Sequence, residues 1–184
     1  GSAEDFQESF SALSMAILAA IFLVYMVMAS QFESFLDPFI ILFTIPLAFI
    51  GIVWALFLTG TTMSVTALIG GMLLVGIVVN NGIVMIDYIN QLREKQNYDL
   101  MEGVIEGGRR RLRPILMTAV TTILAMLPLS FGIGASAETW APMARSVIGG
   151  LTASTFLTLL LIPTMYYIFE NISMKRKAKK AAKA

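Results

Sequence analysis

Few side chains in this sequence could do chemistry, and most of the candidates lie inside long apolar runs. Asn80-Asn81 falls within the uncharged run Val65–Ile86, between Gly76 and Gly82. An amide in hydrocarbon needs a partner, so the pair is expected to face other helices rather than lipid. Two readings are open. One is an interhelical hydrogen bond that fixes packing, worth about 0.6 kcal/mol. The other is a polar member of an ion or proton pathway, and composition alone favours the first. Asp87, one to two turns further on, is the only acid near a membrane-buried position and hence the candidate titratable group. Its expected partners are Arg93 or interfacial water. Arg109, Arg110, Arg111 and Arg113 read as a topology anchor that also attracts anionic lipid headgroups. Thr118, Thr121 and Thr122 are expected to bond their own backbone, with reach to a neighbouring helix as the alternative. Ser146, Gly150, Ser154 and Thr158 recur every four residues, a stripe that lets two helices approach closely and predicts a packing seam.

The residue types that are missing exclude more than those present suggest. With no cysteine and no histidine, disulfides, thiol chemistry and the usual zinc sites drop out. A serine-type intramembrane protease lacks its base, and an aspartyl type needs two intramembrane carboxylates where only Asp87 is available. No glycine-rich phosphate loop occurs, so ATP-driven work by this chain is excluded and no cofactor is expected. The twelve methionines raise a soft-metal path, but methionine is ordinary in membrane helices and no softer ligand accompanies it. The sequence does not read as an enzyme. Nucleic acid is not implied as a partner either, because the basic clusters sit where membrane topology already requires them.

The elements that must position these residues are membrane helices. Of 184 residues, 57% are hydrophobic and 14% charged, with a mean hydropathy of +0.79. A soluble domain carries roughly 25% charged residues, so this chain cannot coat itself in polar surface. Five uncharged runs, 10–29, 39–58, 65–86, 115–133 and 146–169, are each long enough to cross a hydrocarbon core of roughly 30 Å as a helix. The fold class is therefore all-α, a five-span bundle over residues 10–174 with a short leading segment 1–9 and a basic tail 175–184. Twelve of the thirteen basic residues fall in the 87–114 connection and the tail, which five spans place on one face. Only Arg145 lies opposite. The positive-inside rule then puts the N-terminus outside and the tail in the cytoplasm.

Local signals refine this picture. Ser2 and Asp5 fit a capping box, so the first helix is expected to begin before the membrane. Asp99 and Glu102 predict a short helix ending at Gly107-Gly108, lying on the cytoplasmic surface with Leu100, Val104 and Ile105 on its apolar face. Pro114 suits the first turn of span four. Pro46, Pro128 and Pro163 lie inside spans as tolerated kinks. Trp140, Tyr166 and Tyr167 are expected at the interfaces. The chain opens at Gly1 without methionine, which reads as processed or excised from something longer.

Four stretches then carry a resemblance: LVYMVMASQFESFLDPFIILFTIPLAFIG, LVGIVVNNGIVMIDYINQLRE, RRRLRPILMTAVTTILAMLPL and APMARSVIGGLTASTFLTLLLIPTMYYIFE. In order and spacing they resemble spans eight to twelve of the resistance–nodulation–division (RND) exporters, nearly the whole chain. RLRPILMT before a span, and PMA…VIGG…ST…LTL…IP…Y within the next, are the specific parts. The Asn-Asn pair is most similar to exporters of Gram-positive-type bacteria. The resemblance implies a secondary transporter in the bacterial inner membrane, driven by proton influx and exporting hydrophobic or amphiphilic compounds. Its implied partners are an N-terminal half with large extracytoplasmic porter domains, two further copies in a homotrimer, and membrane lipids. In many members a lysine on span ten meets acids of span four; here that position is Asn80, which cannot titrate, followed by Asn81. Arg111 and Thr118 match the family's polar positions on span eleven. The acid pair and the substrate pocket have no counterpart in these residues. Two alternatives stay open: another RND-superfamily protein, such as a protein-export auxiliary or lipid exporter, and a five-span scaffold that transports nothing.

Overall fold

The computed structural model describes residues 1–184 as six helices and no strand. They are α1 Ser2–Phe32, α2 Leu36–Leu42, α3 Thr44–Leu58, α4 Val65–Lys95, α5 Leu100–Ser130 and α6 Ala137–Lys183. α2 and α3 together make one membrane crossing, so five segments are long and apolar enough to span a bilayer. The break between them has a local cause. Pro46 has no N–H to give the carbonyl of Leu42, and the ladder falters at Phe43. The Thr44 hydroxyl steadies the joint by donating to the Ile41 carbonyl at 2.6 Å.

α6 is the hub, packing against α3, α4 and α5, whereas α1 touches only α2 and α4. Lipid tails are as apolar as leucine, so close van der Waals packing rather than water release must hold such helices together. Glycine supplies it. A Cβ on Gly51 of α3 would sit 2.6 Å from both the Ala153 Cβ and the Gly149 carbonyl of α6, and one on Gly149 would collide with Ala55. On α4, a Cβ at Gly70 would come within 2.7 Å of the Met143 carbonyl. Side chains at the opposite end are larger: Ile40, Ile41, Met85, Ile86, Ile89, Ile162 and Tyr166 form a continuous core there.

Side-chain bonds fix the up-and-down arrangement. Arg145, near the start of α6, donates to the Ser130 carbonyl ending α5 at 3.1 Å and to Thr61 in the α3–α4 connection at 2.8 Å. Asp37, Asn90 and Tyr166 meet at the other end, which also carries the α4–α5 connection and the C-terminal tail. The 47 residues of α6 run roughly 70 Å, more than twice a bilayer core of about 30 Å, so its lysine-rich end projects clear of the bundle.

Several local expectations are corrected. No separate surface helix ends at Gly107-Gly108; α5 is unbroken from Leu100 to Ser130, with Pro114 in its interior. Gly107 is a close-approach position instead of a stop, as is Gly103 one turn before it. A Cβ on Gly103 would lie 2.9 Å from Arg93 Cγ, and one on Gly107 would collide with Ile89. The start of α5 therefore packs on the end of α4, burying Val104 while Ile105 points outward. The helix α5 ends at Ser130, short of the end of the uncharged run at Ile133, because Gly132 turns left-handed at φ 75°. The first helix is capped at Gly1, whose amino group donates to Glu4 at 2.8 Å, rather than by a Ser2–Asp5 box. Tyr166 is wholly buried between helices rather than presented on the bundle's surface, because its hydroxyl finds partners there.

Candidate functional site

The two asparagines of α4 part company because they are adjacent on a helix. At 100° per residue their side chains diverge, and Asn81 turns into the core at 8% exposure while Asn80 faces out. Asn80 lies in an apolar groove of about 340 Å³ between α1 and α4, beside Leu23, Val27, Met28, Val79 and Ile83. Asp87 is seven residues, two turns, further along and so returns to the same face. It lines a second recess on the same side, with Met28, Gln31 and Phe32 of α1. The structure thus sets Asn80 and Asp87 on one stripe, roughly 10 Å apart along the axis. Of the two partners expected for Asp87, Arg93 is not the one: it points to the other side of α4, and Asp87 is exposed and accepts from Gln91 Nε2 at 2.8 Å, one turn on.

Arg111 and Thr118 of α5 stand apart from that groove, since α1 and α5 make no contact. The Arg111 guanidinium stacks 4.7 Å above the ring of Tyr88, and Arg110 donates to the Tyr88 hydroxyl at 2.8 Å and to Glu106 at 2.6 Å. Tyr88 is therefore held between two arginines, a cation–π and hydrogen-bonded clamp from α5 onto α4. The Thr118 hydroxyl donates to the Pro114 carbonyl at 3.0 Å, and Thr121 and Thr122 bond Met117 and Thr118 in the same way. Ser146, Gly150, Ser154 and Thr158 all face inward on α6. A Cβ on Gly150 would collide with Leu74 of α4 and lie 3.1 Å from the Ala48 carbonyl of α3.

One polar constellation was not expected from the sequence. Asp37, 4% exposed, accepts from Asn90 Nδ2 at 3.1 Å. Asn90 Oδ1 accepts from the Tyr166 hydroxyl, which in turn accepts from Arg93 Nη1 at 2.9 Å. Arg93 closes the chain on Glu170 at 3.4 Å. Both ends of the Asn90 amide are used, which fixes its orientation. The signal available in sequence was spacing: Asn90 and Arg93 are three apart and Tyr166 and Glu170 four apart, each pair on one helical face at a span's end.

A polytopic α-helical membrane domain, with a polar stripe on an outward groove and a clamp of arginines at one end, is the class these features define. Residues 1–170 match the model of the AcrB/AcrD/AcrF family, and the chain belongs to that family of RND transporters. It is 42% identical over 177 residues, 96% of its length, to the swarming motility protein SwrC of Bacillus subtilis (strain 168). It is 38% identical over 188 residues to the multidrug resistance protein MdtC of Proteus mirabilis (strain HI4320). The crystal structure of a heavy metal efflux pump superposes with a TM-score of 0.83 at 33% identity, over 93% of this chain. The chain spans 17% and 18% of the lengths of the two relatives and 17% of that pump.

Proposed function

We propose that this chain is the C-terminal membrane portion of a proton-driven exporter of hydrophobic or amphiphilic compounds and is incomplete alone. Asn80 is the observation that carries the reading. A carboxamide in an apolar groove costs free energy if lipid fills that groove, so a protein partner is called for. The family resemblance gives that partner as acids on the first membrane half. Asn80 then hydrogen-bonds the proton-carrying carboxylates without titrating itself, and Asp87 adds a carboxylate to the same stripe. Arg111 is held by Tyr88 where α5 meets α4. In this reading the protein is a homotrimer of the bacterial inner membrane, with the Arg145 end outside and the basic end in the cytoplasm.

The test is Asn80→Leu in the full-length exporter, with efflux and membrane abundance measured together. Loss of efflux at near-normal abundance supports the relay role; efflux at the wild-type rate leaves only packing. A second reading takes its motive from the structural neighbour that is a heavy metal efflux pump. Soft-metal cargo needs thioether ligands that converge. Met28 and Met85 share the core cluster with Met165 packed against it, whereas Met15, Met26 and Met117 face outward from α1 and α5, so the exposed thioethers form no common set.

A further inference from the structure

The end of the bundle that bears twelve of the thirteen basic residues contains a recess in which acids outnumber cations. It is a cavity of about 450 Å³ bounded by the α1–α2 connection, the end of α4, the start of α5 and the outer part of α6. Asp37, Glu94, Asp99 and Glu170 line it, with Arg93 as the one cation among the lining residues. Arg93 is already committed, to Glu170 and to the Tyr166 hydroxyl. Asp37, Glu94 and Asp99 have no cationic side chain within ion-pair distance.

Asp37 sits deepest. It is 4% exposed, Asn90 serves one of its oxygens, and the other, Oδ1, is buried with no hydrogen-bond partner. A carboxylate offers about four lone-pair sites, and a buried oxygen left unserved is unfavourable until a proton, a donor or a cation joins it. No donor or cationic side chain of the protein reaches Oδ1. The acids do not converge as a metal cage would require: no three of them are placed to hold an ion. The space exceeds a single ion, and Phe32 and Leu100 give it an apolar wall. Those features suit an ammonium group carrying a short hydrocarbon.

We propose that this recess binds an alkylammonium cation, with Asp37 as the anchoring anion and Glu94 and Asp99 as the acids that draw it in. The surrounding arginines and lysines repel cations from much of this end, and the acids of the recess give it a local field of attractive sign. The inference does not depend on the transport reading, because binding is measured without turnover. The full-length protein containing this chain, in non-ionic detergent at low salt, is dialysed to equilibrium against radiolabelled butylammonium. Saturable binding is expected, weakened by Asp37→Asn about tenfold or more, since an ion pair becomes a neutral contact. Glu94→Gln, an exposed rim change, should weaken it by about threefold at low ionic strength. Glu138→Gln at the opposite end should change nothing, and butan-1-ol should not compete. Should Asp37→Asn fail to fold by gel filtration, Glu94→Gln carries the test. Absence of saturable binding to folded wild-type protein overturns the proposal, as does wild-type affinity in every folded recess variant. Competition by butan-1-ol equal to that by unlabelled butylammonium would show an apolar pocket only. Displacement of the amine by magnesium at lower concentration would show a metal site, and either result also overturns the proposal.

Discussion

Adjacent residues on α4 have opposite surroundings, which makes them separable by mutation. Asn81 is packed among the helices of this chain, and Asn80 is presented to whatever fills the α1–α4 groove. Asn80→Leu should therefore cost transport rather than fold, and Asn81→Leu should do less to transport if it serves mainly in packing. The comparison is efflux per unit of membrane-inserted protein in the full-length exporter. Tyr166 gives a complementary prediction about stability. Its hydroxyl joins Asn90 to Arg93, so Tyr166→Phe leaves a half-buried amide oxygen and one guanidinium N–H without this partner. Each such loss costs about 1–3 kcal/mol, and unfolding in a graded detergent mixture should register a drop of that order. Tyr167→Phe, one residue on and without a side-chain bond to lose in this cluster, is the control.

At the level of elements, glycine decides how close helices come, and neighbouring glycines again differ. Gly107 faces Ile89 so closely that a methyl group would collide, whereas one on Gly108 would meet only Pro163 Cγ at 3.8 Å, an ordinary contact. Gly107→Ala should thus destabilise the α4–α5 contact by about 1–3 kcal/mol through overpacking. Gly108→Ala should be neutral or gain up to about 1 kcal/mol of helix propensity. Melting temperatures of the two variants in one detergent would check this, and equal effects would mean α5 does not pack there. The same pair shows what the sequence could and could not disclose. Span number and the inward stripe Ser146, Gly150, Ser154, Thr158 follow from hydropathy and a period of four, both local properties. Gly107-Gly108 read as a helix end because glycine terminates helices in water. Only the partner helix reveals that it serves close approach, and the partner is not a local property. The Asp37–Asn90–Tyr166 network escaped for that reason too: its members lie 53 and 76 residues apart and meet only once three helices are assembled.

For the whole molecule, charge and geometry make one joint prediction. Arg145, Thr61 and Ser130 are bonded at one end, and the connection containing Arg109–Arg113 lies at the other with the lysine-rich tail. Positive segments are retained in the cytoplasm, so the Arg145 end should be outside. Because the chain has no cysteine, single cysteines can be read without background. Ser136, exposed between α5 and α6, should react as Ser136→Cys with an impermeant thiol reagent added to intact cells. Asn97→Cys, in the exposed α4–α5 connection, and Ala178→Cys, on the projecting part of α6, should react only after permeabilisation. The three positions are chosen so that errors separate. Asn97 labelled from outside together with a protected Ser136 would invert the whole bundle and break the charge rule. Asn97 and Ala178 on opposite sides would mean that α5 and α6 do not both cross. In that case the bond from Arg93 to Tyr166, which requires the end of α4 and the outer part of α6 to lie on one side, could not form in the membrane.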